Sequence, residues 1–386
     1  MTPAARAAAA IAVLDRVLLG ESAEKALTNW GRAARYAGSG DRAAVRDITF
    51  DALRCRASFA ALGGGLTGRG LVLGAARAAG AEALWFDGSP YGPAVVGDEP
   101  GRRPQGVEVL DCPDWLAPRL RAALGERFEP VMQALQRRAP VFLRVNAARI
   151  TREEAQAALA REGIVAQPHD LAKNALEVTE NARRIQNSAC YAAGLVELQD
   201  AASQAVAEAV PLRDGDRVLD LCAGGGGKTL ALAAQGAAAG ARLEIFAHDA
   251  HPHRMADLPA RADRAGAAIT LTRRPEDLAP FDVVLADVPC SGSGSWRRDP
   301  EGKWLLTEAR LADLLVLQAG ILDRAARLCR PGGVLAYATC SLLREENQDQ
   351  VAAFLGHHSG WIIRESRSFT PLQGGDGFGL ALLARV

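Results

Sequence analysis

The apolar run from Phe281 to Leu285 passes into Ala286-Asp287-Val288-Pro289-Cys290-Ser291-Gly292-Ser293-Gly294. A continuous run closed by Pro and Gly reads as a buried strand entering a loop, where parallel sheets keep their chemistry. Fifty residues on, Gly333-Val334-Leu335-Ala336-Tyr337-Ala338-Thr339 ends in Cys340 and Ser341. Two cysteines at the ends of two strands point to one site. Upstream, Arg217-Val218-Leu219-Asp220-Leu221 feeds the glycine loop Cys222-Ala223-Gly224-Gly225-Gly226-Gly227-Lys228-Thr229, which suits a cofactor cradle beside them.

Outward from these stretches, strands near 217–221, 243–248, 268–272, 281–286 and 333–338 alternate with helices, the pattern of an α/β, doubly wound, Rossmann-like sheet. Residues 201–386 are assigned to it. Residues 138–200 carry short strands and one helix, with Phe142-Leu143-Arg144-Val145-Asn146 and Leu176 to Val178 extended and Arg152 to Glu162 helical, and read as a small α/β module. Residues 1–137 have helical periodicity, with Ile11, Leu14, Val17 and Leu18 on one face, and read as all-helical. Phe86 to Gly106, punctuated by Gly and Pro, reads as an exposed loop inside that domain.

A chain of 386 residues with 49% hydrophobic content can fill two or three cores. Net charge is zero, so no global basic field marks a nucleic-acid binder and any such surface must be local. Lys25, Lys173, Lys228 and Lys303 are the only lysines. Seven cysteines form no Cys-x-x-Cys pair and sit near no histidine cluster, which argues against a zinc site or a disulfide framework and fits a reducing cytoplasm. Met1 to Gly20 is interrupted by Arg6, Asp15 and Arg16 and reads as an amphipathic helix, and no stretch reaches the roughly 18 uncharged apolar residues of a membrane span.

Gly226-Gly227-Lys228-Thr229 imitates the end of a P-loop, but the first glycine of that motif is Cys222 here. A dinucleotide fingerprint would need its third glycine where Thr229 stands. Asp249, at the end of the next strand, suits a ribose diol, which indicates adenosine without choosing the cofactor. Cys222 and Cys329 read as packing residues. Two thiols and an acid together suit attack on a pyrimidine. A thiolate adding to carbon 6 makes carbon 5 of cytosine nucleophilic, an acid at the base edge steadies the charge at N3, and a second thiol can assist release.

The residues resemble the RNA cytosine-5 methyltransferases that use S-adenosylmethionine. Three motifs carry the resemblance: Asp220 to Thr229, Asp287 to Gly294, and Tyr337 to Ser341. The likeness implies Cys340 as nucleophile, Cys290 as the release residue and Asp287 as the base-contacting acid. It implies Cys222, Ala223, Gly224, Gly225, Gly226, Gly227, Lys228, Asp249, Arg254, Asp277 and Asp287 as the cofactor site, with no metal. Gly194 to Gln204 is similar to the segment preceding that catalytic domain, the 138–200 module to the family's RNA-binding module, and 1–137 to the NusB-like domain of its bacterial 16S ribosomal RNA members. Gly224-Gly225 stand where the family has Ala-Pro, which should loosen the loop. The third-strand acid is displaced, with Asp277 its substitute, and Asp376-Gly377-Phe378-Gly379 lacks the family's second Phe.

Arg297, Arg298 and Lys303 follow the catalytic loop closely and are the expected RNA grip, because a flipped base needs its flanking phosphates held. The expectation is a cytoplasmic monomer that methylates a cytidine of 16S ribosomal RNA. A transfer-RNA substrate and an inactive assembly factor are the rivals.

Overall fold

The computed structural model describes residues 1–386 and divides into two compact units. The first contains Met1–Arg138 together with Trp296–Leu306, and the second Ala139–Ser295 with Thr307–Val386. The sequence reading assigned Trp296–Leu306 to the catalytic domain. Its contacts belong instead to the helical unit, for reasons given with the site below.

The first unit is built on helices Pro3–Leu18, Ala23–Ala33, Ser39–Arg54, Arg56–Gly63, Gly68–Ala79, Ala117–Leu124 and Phe128–Leu135. Local signals set their ends. Thr2 caps the first helix by accepting from Ala5 N, Thr67 caps the fifth by accepting from Gly70 N, and Gly64 at φ +85° ends the fourth. Leu14, Val45, Leu53, Leu71 and Leu73 form the core. Arg69 and Arg77 tie the Gly/Pro-rich loop down through Glu99 and Ala94 O.

The second unit holds two sheets. Strands β1 (Val141–Val145), β2 (Val165–Pro168), β3 (Ala175–Glu180) and β4 (Val196–Leu198) make an antiparallel sheet in the order β2-β3-β1-β4. Strands β5 (Arg217–Asp220), β6 (Glu244–Ala247), β7 (Thr270–Leu271), β8 (Phe281–Asp287), β9 (Cys329–Thr339), β10 (Trp361–Phe369) and β11 (Phe378–Arg385) follow. They form a seven-stranded sheet ordered β10-β11-β9-β8-β5-β6-β7. The five strands expected from sequence are parallel, and β10 and β11 extend the sheet antiparallel beyond β9. Leu219, Val284 and Leu335 fill one face while Val218, Val283 and Ala336 fill the other, so the central strands are apolar without alternation. The order reverses at β5, which lies between β6 and β8, and this switch point opens a crevice at the strand carboxyl ends.

Candidate active site

Strand β5 delivers the glycine loop into that crevice. Gly224 at φ +52° and Gly226 at φ +79° turn the chain into helix Gly227–Ala238, and a Cβ on Gly226 would lie 2.2 Å from Leu258 Cδ1. Gly224 N donates to Asp249 Oδ2 at 2.9 Å, and His251 N to Asp249 Oδ1 at 2.8 Å. Arg254 approaches the same carboxylate at 3.4 Å. Cys222 and Ala223 begin the turn, where Ala223 N donates to His248 O. Asp220 is buried; Oδ2 accepts from Thr229 Oγ1 at 2.7 Å, Oδ1 has no partner, and burial pushes the carboxyl up to about 7. Burial likewise raises the Cys222 thiol, which suits a packing role.

The parallel register of β8 and β9 pairs Asp287 with Ala338, so the loops that follow start side by side. Cys290 Sγ and Cys340 Sγ lie 3.3 Å apart. A thiol proton donated by Cys290 to Cys340 lowers Cys340 below its ordinary value, helped by the Lys228 charge, and raises Cys290 well above its own. Lys228 Nζ donates to Asp287 Oδ2 at 2.7 Å and sits over the Phe378 ring. Asp287, Lys228, Cys290 and Cys340 thus meet as the sequence expected.

A polar network that sequence reasoning missed holds the two thiol loops together. Glu346, with no exposed surface, accepts from Ser291 N at 2.8 Å, Ser291 Oγ at 2.5 Å and Gln318 Nε2 at 2.9 Å. Gln318 also donates to Pro289 O, and Tyr337 Oη donates to Glu346 O. Ser293 Oγ lies 3.0 Å from Ser341 Oγ and accepts from Leu342 N. Gly294 is required where it stands, because a Cβ there would meet Gly377 O at 2.1 Å. The only sequence signal was the Cys-Ser dipeptide at both loop starts.

Asp277 is exposed on a short turn after β7 and pairs with Arg274 at 3.2 Å. Two residues expected to grip RNA are placed elsewhere. Lys303 is 1% exposed inside the helical unit, where Nζ donates to Arg54 O at 3.0 Å and burial lowers its ammonium to about 8. Arg297 is buried in the same unit, its carbonyl accepting from Arg54 Nε at 2.8 Å. Neither Arg297 nor Lys303 can meet a phosphate from there, a correction to the expected RNA grip, while Arg298 is exposed. These anchors, with Trp304 Nε1 donating to Leu53 O and Glu301 accepting from Ala23 N, are what draw Trp296–Leu306 into the helical unit.

The remaining residues fit an adenosine-bearing ligand. Asp249 is oriented by two backbone donors and its third partner, Arg254, is half-exposed and displaceable, so a ribose hydroxyl can take its place. The orphan Asp220 Oδ1 leaves an acceptor at the head of the loop.

Residues 207–381 match the family described as 16S rRNA methyltransferase RsmB/F, and residues 112–185 match the RsmF/B-like ferredoxin-like domain. Over 288 residues the chain is 32% identical to ribosomal RNA small subunit methyltransferase B of Yersinia enterocolitica, covering 71% of this chain and 66% of that one. It is 37% identical over 255 residues to the protein of the same name from Xanthomonas campestris, covering 63% and 56%. The chain therefore spans less than two thirds of the length of these relatives. The crystal structure of PH0851 shares the fold, with a TM-score of 0.77, 21% identity and 99% of each chain covered.

Proposed function

Because the chain belongs to the RsmB/F family of methyltransferases, we propose that it transfers a methyl group from S-adenosylmethionine to carbon 5 of a cytidine in 16S ribosomal RNA. The observation that carries this reading is the thiol pair, 3.3 Å apart, beside the Lys228–Asp287 ion pair.

The thiolate of Cys340, favoured by the proton that Cys290 donates, adds to carbon 6 of the cytosine. The displaced π electrons move into the ring, where the Lys228–Asp287 pair meets the base edge and steadies the charge at N3. Bound S-adenosylmethionine supplies the methyl group as an electrophile on its sulfonium. Carbon 5 then carries both the new methyl and its original proton. With Cys340 tied up in the adduct, Cys290 has lost its acceptor, and after releasing its thiol proton to solvent it can take the proton from carbon 5. The electrons of that C–H bond restore the C5–C6 double bond and expel Cys340 as a thiolate. The net products are methylated RNA, S-adenosylhomocysteine and one proton.

A denaturing gel after incubation with ribosomal RNA and S-adenosylmethionine tests these roles. Cys290→Ala should accumulate a covalent protein–RNA band and Cys340→Ala should give none. The reverse pattern would exchange the two roles. No band from either variant, with wild type transferring no methyl to ribosomal or transfer RNA, would overturn the reading.

A further inference from the structure

The glycine pair Gly224-Gly225 removes the stiffness that Ala-Pro would give the loop, and two arginines stand beside the places that side chains at those positions would take. A Cβ on Gly225 would lie 3.3 Å from Arg261 Nη1, and one on Gly224 would lie 3.3 Å from Arg254 Nη2. Arg261 Nη1 donates to Gly225 O, and Arg144 Nη1 donates to Gly227 O at 2.6 Å. Two of the carbonyls at the turn are therefore gripped by guanidinium groups.

The small antiparallel sheet holds those groups in place. Glu197 on β4 is 3% exposed and accepts from Arg261 Nη2 at 2.9 Å and from Arg264 on its other oxygen. Arg144 on β1 is 7% exposed and also donates to Gln199 Oε1. A guanidinium that is buried and doubly bonded keeps one rotamer, so the carbonyl it holds is fixed as well. The burial of Arg144 keeps it from an RNA phosphate and leaves the loop as its target.

We propose that Arg144 of the small α/β module and Arg261, which that module holds through Glu197, are positioning residues for the cofactor, clamping the glycine loop in place of the missing proline. The inference rests on the S-adenosylmethionine reading above. The loop entropy that a proline ring would remove is removed here by hydrogen bonds, and the glycines leave the room those bonds need. The small module thus contributes to cofactor affinity without touching the cofactor.

The clamp and the proline are alternatives, so they should be non-additive in one thermodynamic cycle. Gly225 lies outside the left-handed region and its N–H has no partner among the loop's hydrogen bonds, so Gly225→Pro removes no hydrogen bond from the loop. Calorimetric titration of S-adenosylmethionine into wild type, Arg261→Gln, Gly225→Pro and the double variant reads the cycle, with thermal melting confirming that each is folded. Arg261→Gln should weaken binding about tenfold, and adding Gly225→Pro to it should recover most of that loss. In the wild-type background Gly225→Pro should give no gain, because the ring crowds Arg261. Arg144→Gln supplies a second probe should Arg261→Gln fail to fold, and it should likewise weaken binding and be recovered by Gly225→Pro. Tight wild-type binding with Arg261→Gln and Arg144→Gln unchanged would overturn the clamp alone. Weakened binding that Gly225→Pro does not recover would overturn it too, since the arginines would then act through general packing. No binding by wild type would overturn the cofactor reading and the clamp with it.

Discussion

Two thiols that share one proton cannot titrate as two ordinary cysteines. Cys340 receives the hydrogen bond and is lowered from 9.0, so its reactive thiolate is present at a pH where a free cysteine is still protonated; Cys290, the donor, is raised and stays protonated over the same range. Alkylation by iodoacetamide, followed residue by residue by mass spectrometry, should therefore reach Cys340 first, with a midpoint below 9.0. Cys290→Ala removes the donor, and the sign follows: the Cys340 midpoint should move up, because the largest lowering influence is gone and burial and the Asp287 charge then meet only Lys228 and the Ser295 hydroxyl. An unchanged midpoint in Cys290→Ala would show that the 3.3 Å contact does not tune Cys340.

At the scale of elements, β8 and β9 bring the two loops together, but Glu346 keeps them there. Removing its carboxylate leaves Ser291 N without an acceptor, at a cost of roughly 1 to 3 kcal/mol, and takes one of their partners from Ser291 Oγ and Gln318 Nε2, which keep Ser293 Oγ and Pro289 O. Glu346→Ala should lower the urea midpoint clearly and Glu346→Gln much less, since the amide oxygen still accepts; equal midpoints for both and wild type would refute that role. The same loops mark how far the sequence could be read. The runs Phe281 to Leu285 and Gly333 to Thr339 are apolar on both faces, so the parallel sheet, its switch point and the meeting of Cys290 with Cys340 were legible. Glu346 was not, because it sits in Arg344-Glu345-Glu346-Asn347, which reads as a solvated run, and only the fold turns one of its two acids inward. Strand β10 escaped for the opposite reason. As an edge strand it exposes Ile362 and Ile363 beside charges and shows neither alternation nor a continuous run.

On the scale of the whole molecule the chain is not colinear with its units, and this is where Arg297 and Lys303 misled. Nearness in sequence to Cys290 suggested a phosphate grip, yet after Ser295 the chain belongs to the helical unit until Leu306. There Trp296 is 1% exposed, Lys303 and Trp304 satisfy the carbonyls that end helix Ser39–Arg54, and Arg54 answers by donating to Arg297 O. A buried lysine at such a helix end, with Asp111 nearby, is held by the fold more than by charge pairing. The helical unit should therefore be incomplete as residues 1–138 alone, because Leu53 O and Arg54 O would lose their donors. A synthetic peptide spanning 296–306 should bind that fragment and stabilise it by mass action, by about 2.7 kcal/mol at a hundredfold excess over its Kd, read as a rise of several degrees in the circular-dichroism melt. The same peptide with Lys303→Ala and Trp304→Ala should give a much smaller rise. A fragment that melts identically with no peptide, with the native peptide and with the altered one would mean that residues 1–138 form a finished core and that the returning segment only rests on it.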